Sequence, residues 1–203
     1  MKNKLITIAL AAVCVLAACK KEGNDNNGGG TPISDETGAK ALFSKMNGLW
    51  TAALRPNLSK TVQTYTNTVL NGSSGTATVN GSYAATHASS STSSTNTSTI
   101  DVVVTFKDYE SDGLHINGTV HFFDYSNVRS ACSSSGCATS SHSSLSYRSH
   151  DGANNSFGQA NVRFDYNGKS YQDAVLMDIG KSDNFHWSIK VTNRNNQTIN
   201  TSY

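Results

Sequence analysis

Two cysteines and two histidines near the middle of the 203-residue chain are the clearest candidates for chemistry. Cys132 and Cys137 are separated by four residues, and His142 and His150 follow at short intervals. Thiolates and imidazoles are ligands that zinc prefers, so these four residues could form a zinc site. Structural zinc sites usually hold their cysteines at closer spacing, and the serine-rich sequence around them predicts a loop. A disulfide or two free thiols are the alternatives.

Asp173 is an acidic residue that the sequence pattern places on the inward side of a strand. It alternates with Tyr171, Val175 and Ile179, and an unpaired charge on a buried face is costly. We therefore expect a bulge after Gln172, or a position at the rim where water reaches the carboxylate. Either interpretation is favoured over a contact with a ligand.

No familiar catalytic motif accompanies these residues. The sequence contains no nucleophile elbow, no His-Glu-x-x-His motif and no phosphate-binding loop. His115 and His121 fall on the polar side of one predicted strand, about 20 Å apart, which is too far to share a metal. A hydrolase would have to use loop residues such as His150 and Asp151, together with Asp173. We therefore favour a protein that is not an enzyme, and we predict no catalytic residues, metal or cofactor.

The first residues have the layout of an export signal. Two lysines precede an uncharged, mainly apolar run over residues 5–15, which is too short to cross a bilayer. The run leads into Leu-Ala-Ala-Cys at residues 16–19, which resembles the lipobox of bacterial lipoproteins. This resemblance implies that residues 1–18 are removed and that Cys19 is acylated, so that its lipid anchors the mature protein in a membrane.

Residues 19–35 are polar, rich in glycine and asparagine, and predict a flexible tether. Their Cys-Lys-Lys-acidic start is similar to that of β-rich lipoproteins of the Bacteroidetes group. The similarity implies an outer-membrane lipoprotein, on the periplasmic face or at the cell surface. Because thiols are oxidised outside the cytoplasm, a disulfide between Cys132 and Cys137 is the favoured interpretation, with zinc and free thiols still open.

Composition excludes a nucleic-acid-binding protein. The chain has 16 Lys and Arg against 14 Asp and Glu, and removal of the signal with its two lysines makes the mature chain neutral. Nucleic-acid binding needs a positive surface, and the densest basic group is only Lys20-Lys21. Charged residues make up 15% of the chain, whereas serine, threonine and asparagine are abundant. This balance is typical of extracellular β-proteins.

Most of the chain predicts antiparallel strands. From near Trp50 to near Val191, apolar and polar residues alternate with period two, which indicates strands with one buried face and one solvated face. We predict about nine strands. The inward rows are Ala77, Val79, Gly81, Tyr83 and Ala85; Ile100, Val102, Val104 and Phe106; Leu114, Ile116, Gly118, Val120 and Phe122; Ala160, Val162, Phe164 and Tyr166; and Phe185, Trp187, Ile189 and Val191.

Asn-Gly pairs divide into two kinds. Asn167-Gly168 is a two-residue hairpin signal that places Phe164 opposite Tyr171. The pairs at 80–81 and 117–118 continue the inward alternation through the glycine. We therefore predict continuous strands with a bend at these two positions, as strongly coiled or closed sheets require.

One short helix is predicted, from a cap at Ser34 or Asp35 through Met46, with a stop at Asn47-Gly48. Gly48-Leu49-Trp50 follows, at the start of the first predicted strand, and resembles the Gly-x-Trp opening of lipocalins. That resemblance implies a closed barrel able to enclose a small apolar ligand.

The predicted fold is all-β: a single antiparallel sandwich or barrel of about nine strands, with one short N-terminal helix. It spans residues 36–203, after the signal at 1–18 and the tether at 19–35. We expect a membrane-anchored extracytoplasmic binding or structural module, with carbohydrate, protein or a small apolar molecule as candidate ligands. A barrel leaves room for a cavity, whereas a sandwich leaves binding to loops over 88–98 and 130–144. Six large inward rings favour a filled core over a cavity.

Overall fold

In this computed structural model, the described residues are 30–149, 157–182 and 186–203. The predicted signal, Cys19 and most of the predicted tether lie outside the described residues, as do His150, Asp151 and Phe185. None of the helices in the described ranges is long and apolar enough to cross a membrane.

The described chain forms one helical segment followed by nine antiparallel strands, which confirms the all-β prediction. The helical segment covers residues 36–58 and consists of α1 (Glu36–Gly48), a π-helical stretch (Leu49–Leu54) and α2 (Arg55–Leu58). The strands are β1 (Gln63–Asn71), β2 (Ser74–Ser89), β3 (Ser93–Ser111), β4 (Leu114–Ser133), β5 (Gly136–Arg148), β6 (Ala160–Tyr166), β7 (Lys169–Ser182), β8 (His186–Thr192) and β9 (Thr198–Ser202).

The helical segment begins as predicted but ends ten residues later. Asp35 caps it, because its Oδ1 accepts a hydrogen bond from the Gly38 backbone amide at 2.7 Å. Gly48 does not stop it, since this glycine keeps a helical φ of −60°. The expected first strand at Trp50 is therefore wrong, and β1 begins at Gln63. The cause is burial, because the continued helix places four apolar side chains in the core: Leu49, Trp50, Leu54 and Leu58.

The nine strands form a single barrel-like sheet in the order β1-β2-β3-β4-β5-β7-β8-β9, with β6 paired to β4 and β7. A single barrel-like sheet agrees with the barrel rather than with a sandwich of two sheets, and no pairing joins its end strands β1 and β9 within the described residues. Strands β5 and β6 occupy one position between β4 and β7. The start of β4, residues 114–117, pairs with β6, and the longer remainder, residues 121–133, pairs with β5. The sheet thus has eight strand positions.

The β6–β7 hairpin has the predicted register. Tyr166 pairs with Lys169 and Phe164 pairs with Tyr171, whose rings stack at 5.2 Å between centroids. Asn167 and Gly168 both have positive φ, at 50° and 73°. These values are what a type I′ turn requires, and the prediction is confirmed.

The two other Asn-Gly pairs lie inside continuous strands, as predicted. Gly81 has φ 137° in β2, and Gly118 has φ 114° in β4. A Cβ at Gly81 would lie 2.1 Å from the carbonyl oxygen of Asp101 on the neighbouring strand. Glycine at this position therefore lets two curved strands approach each other closely.

The inside of the barrel-like sheet is occupied by the helical segment. Trp50 stacks on Phe122 at 5.1 Å between ring centroids, and Tyr147 packs against both rings. All three side chains are fully buried. Most residues of the apolar rows predicted for β2, β3, β4 and β6 belong to the same core cluster as this segment. Side chains from the sheet and from the helical segment therefore fill the core together. The segment contributes Ala39, Ala41, Leu42, Phe43, Met46, Leu49, Trp50, Leu54 and Leu58.

Four strands continue beyond the core as a polar extension, which we call the distal sheet. It comprises residues 84–89 of β2, 93–99 of β3, 125–133 of β4 and 136–144 of β5. The sequence of residues 88–98, nearly all serine and threonine, is compatible with a mobile loop or with the polar tip of a long hairpin, and the structure shows the hairpin tip. The predicted loop over 130–144 is wrong, because the alternation of small polar residues there continues as paired strands.

Candidate functional site

Cys132 and Cys137 lie opposite each other at the tip of the distal sheet. Their Sγ atoms are 2.08 Å apart, at disulfide-bonding distance. The zinc alternative needs these two thiolates free, and so it does not fit this pairing. His142 lies five residues further along β5, where its ring contacts that of Tyr125 at 6.1 Å. The described residues contain no group of three or more histidine, cysteine or acidic side chains that could hold a metal.

Asp173 is buried rather than at a bulge or a wet rim, so both interpretations offered for it are wrong. The β6–β7 register runs without a shift past Asp173, and the residue is only 3% exposed. Its carboxylate accepts hydrogen bonds from the backbone amides of Ile33 (2.8 Å), Ala174 (2.8 Å) and Arg194 (3.2 Å), and from Arg194 Nε (3.0 Å). A buried carboxylate with four donors is stable without a ligand.

The partners of Asp173 fix the start of the folded chain. Residues 30–35, which the sequence assigns to the tether, are docked along β7. Thr31 bridges to Tyr171, with its amide donating to the Ser170 carbonyl at 2.8 Å. Ile33 is fully buried, and its carbonyl accepts a hydrogen bond from Asn193 Nδ2 at 2.9 Å. The chain therefore enters the domain at one fixed place.

The docked segment 30–35 and the distal sheet lie at opposite ends of the molecule. Tyr171, beside the docked segment, pairs with Phe164, which pairs with Leu114 at the start of β4. The disulfide tip follows at Cys132, near the other end of the same strand. Eighteen residues of strand span roughly 60 Å. The distal sheet thus projects away from the point where the chain enters.

Two histidines on the outer face of the sheet, His115 and His121, each have a carboxylate partner on a neighbouring strand segment. His121 Nε2 lies 2.7 Å from Asp101 Oδ1, and His115 Nε2 lies 4.0 Å from Asp108 Oδ1. The sequence places both histidines on the polar face correctly. It could not name their partners, because these depend on the register between β3 and β4.

Of the five main clefts formed by the described residues, the largest is a groove that runs across the outer face of β5, β7, β8 and β9. Its volume is about 660 Å3. One row of small residues forms its floor, because paired positions follow one another from strand to strand. The floor row is Ser146, Gly180 and Ser188. We call this feature the transverse groove.

Charged and polar side chains form one wall of the transverse groove. They occupy the adjacent row of paired positions, which crosses the same strands. Arg148 Nε donates to Asp178 Oδ1 at 2.9 Å, and Phe123 closes the β4 end beside Ser146. The wall row is His121, Arg148, Asp178, Lys190 and Asn200. Sequence alternation places these side chains outward, but only the register shows that they are neighbours.

Two further clefts, of about 460 and 520 Å3, adjoin each other at the proximal end and share His115, Arg163 and Gln172. The first is also lined by Asp173 and Arg194, whose charges are paired with each other. A third, of about 320 Å3, lies on the inner side of the distal sheet around His87 and Val128. Lining residues of the five clefts do not include the core rings Phe106, Phe122 and Trp187.

A buried polar cluster joins the helical segment to β4 and β5. Asp124 Oδ2 accepts hydrogen bonds from Trp50 Nε1 at 3.2 Å and Arg55 Nε at 2.8 Å. The Tyr147 hydroxyl donates to Asn47 Oδ1 at 3.0 Å. Burial raises the pKa of Tyr147 far above its usual range, and the nearby Asp124 carboxylate acts in the same direction. This hydroxyl therefore stays protonated and serves the fold.

Comparison with protein-family models, with curated proteins and with solved structures found no match to this chain. The barrel-like fold is compatible with a lipocalin-like binding module. What distinguishes this chain is its own arrangement: a helical segment inside the sheet, a polar distal sheet at one end, and a transverse groove on the outer face.

Proposed function

We propose that this chain is an outer-membrane lipoprotein, anchored through acylated Cys19, whose extracytoplasmic domain is a binding module. The observation that carries the proposal is the separation of the two ends. Residues 30–35 are fixed beside β7 by Asp173, so a preceding tether would leave the domain at its proximal end. The distal sheet projects from the opposite end, away from such an anchor.

Exposed polar surface supports a role outside the cytoplasm. The distal sheet is built mainly from serine, threonine, alanine and asparagine. At its tip, β4 and β5 carry a cysteine pair at disulfide distance. Disulfides persist in oxidising compartments, which agrees with export. The hydroxyl-rich surface stays hydrated without a large net charge.

Binding is assigned to the outside of the sheet. The barrel-like shape is compatible with a lipocalin-like carrier, but Trp50 and its neighbours in the helical segment fill the inside, against Phe122 and Tyr147. The transverse groove offers aromatic, hydroxyl, cationic and anionic groups within one cleft. Ligand sites commonly combine a concave shape with a few well-placed polar groups.

The anchor is tested with two cysteine variants expressed in a Gram-negative host. The Cys19→Ser protein should lose incorporation of labelled palmitate and should move from the detergent phase to the aqueous phase of Triton X-114. Cys14→Ser is the matched control, because Cys14 lies within the predicted signal and would be removed with it. Partition of the Cys19→Ser protein like the parent would refute the anchored module.

A further inference from the structure

The side chains of the transverse groove indicate the chemical class of its ligand. We infer that it binds an oligosaccharide that lies across strands β5, β7, β8 and β9. This inference rests on the proposed binding function and adds the chemical class of the ligand. Four features carry it: a glycine that the fold does not require, the length of the floor, the mixed donors and acceptors of the wall, and an outward phenylalanine.

Gly180 in the middle of the floor is not needed by the backbone or by packing. Its φ lies outside the positive region where glycine is favoured, and a Cβ there would meet Ser146 Cβ at 3.4 Å and Leu145 O at 3.5 Å, which are ordinary contacts. A glycine inside a strand weakens it and often marks a place where a ligand approaches the backbone closely. Gly180 keeps the floor open for such an approach.

The floor is long, shallow and lined by hydroxyl groups. Ser146, Gly180 and Ser188 follow one another on three adjacent strands, and Phe123 precedes them on β4. Strands about 4.8 Å apart give this row of four positions a length of roughly 14 Å. A groove of this shape fits an extended chain with small polar groups along both sides. It has no deep apolar pocket of the kind that holds a large peptide side chain.

The wall of the groove presents hydrogen-bond donors and acceptors side by side. Arg148 is paired with Asp178 at 2.9 Å, and His121 with Asp101 at 2.7 Å, while Lys181 and Lys190 add two further cationic donors to the lining. Each paired group keeps further hydrogen-bonding capacity, because a guanidinium has five donors and a carboxylate about four acceptor sites. Donors and acceptors side by side suit neighbouring sugar hydroxyls, which both donate and accept.

Phe123 is an aromatic residue on the outer face, where the alternation otherwise places polar side chains. It is half-buried and pairs with Asp101 and Ser146 on its two neighbouring strands, at the end of the groove. An aromatic ring offers a flat apolar surface with a negative face. The C–H groups on one side of a pyranose ring can pack on such a surface while its hydroxyls reach the wall.

The test uses the mature lipidated protein in a detergent without a sugar head group. Isothermal titration with cellohexaose, xylohexaose, mannohexaose and maltohexaose should show binding by at least one of them, with Kd below about 1 mM. Hexagalacturonate serves as the acidic probe, for which Lys181 and Lys190 offer partners. Absence of binding by all five oligosaccharides would overturn the oligosaccharide class, whereas the anchored module would still be judged by palmitate labelling and detergent partition.

Two groove variants and one control connect binding to the site. Gly180→Val fills the floor with a residue that suits a strand, so the melting temperature should hold or rise while affinity falls about ten-fold or more. Phe123→Ala should weaken binding in the same direction. Thr105→Val, on the outer face of β3 away from the groove, should bind like the parent. Equal binding by Gly180→Val and the parent would overturn the groove as the site.

Discussion

Strands β2 to β5 pass through two environments that differ sharply, although the hydrogen-bonded ladder is continuous between them. In the core, the inward positions of β4 are Ile116, Val120 and Phe122, all fully buried against the helical segment or its neighbours. Further along the same face they become Ser126, Val128 and Ser130, which are only partly buried. The comparison shows that strand pairing here extends well beyond the residues that give it a core.

What holds the distal sheet is therefore different from what holds the core. Buried apolar surface and fixed packing stabilise the core. The distal sheet relies on its backbone ladder, on contacts such as Asn127 Nδ2 to Thr97 Oγ1 at 2.8 Å, and on the cysteine pair at its tip. We expect the two regions to respond separately to substitution, and local opening to begin in the distal sheet.

The largest contrast should come from two apolar residues on one face of β4. Phe122→Ala removes a fully buried ring and should reduce the free energy of unfolding by about 3–5 kcal/mol. Val128→Ala, six residues further along, removes half-exposed atoms and should cost less than about 1 kcal/mol. Chemical denaturation measures both values. Similar losses for the two variants would show that the distal sheet has a packed layer of its own.

The proximal end should depend on the Asp173 carboxylate. All four of its hydrogen-bonding partners are donors, so either orientation of the amide in Asp173→Asn places an NH2 group against an N–H. We expect a loss of about 2–3 kcal/mol and faster proteolysis within residues 30–35. Asp112→Asn, at an exposed turn, is the control and should change little. A variant as stable as the parent would remove Asp173 from its anchoring role.

Loss of the cysteine pair should affect the distal sheet alone. The double substitution Cys132→Ser and Cys137→Ser opens a small ring, which is worth roughly 2 kcal/mol in the chain-entropy model. Hydrogen exchange should accelerate for amides in 125–133 and 136–144, while amides of the core around Phe122 keep their protection. A parallel loss of protection in the core would contradict the separation of the two regions.

The smallest effect is expected at the β6–β7 turn. Gly168→Val places a β-branched residue at φ 73° and should reduce the free energy of unfolding by more than about 1 kcal/mol. Asn161→Val, on the exposed side of β6, has no such conflict and serves as the control. Thermal melts compare the two, and an unchanged melting curve for Gly168→Val would contradict the type I′ turn as a stabilising element of the core.

Local patterns in the sequence predicted much of the sheet. The alternation around Val102 and Val104, the turn at Asn167-Gly168 and the bend at Gly81 all depend on neighbouring residues, and all are confirmed. The helix boundary was wrong, because the stop signal at Gly48 competes with burial of Trp50, which only the whole fold decides. Burial of a tryptophan can outweigh a local propensity of about 1 kcal/mol.

The candidate site was less accessible from the sequence. Asp173 was recognised as inward, but its partners come from the segment at Ile33 and the turn at Arg194, more than a hundred and about twenty residues away. The transverse groove depends on the register of four strand pairs, which places Ser146 beside Gly180 and Gly180 beside Ser188. A shift of one residue in any pair would turn one of these side chains to the other face.

The shared position of β5 and β6 divides the sheet into two consecutive meanders, β1 to β5 and β6 to β9, which meet along a seam. Within each meander, pairing joins strands that follow each other in the chain and needs only short loops to close. The seam pairs β4 with β6 and β5 with β7, over 114–117 and 144–148. Contacts between distant parts of a chain form slowly, because the entropy of closing the loop comes first. We therefore expect each meander to form early and the closing of the seam to limit the rate of folding.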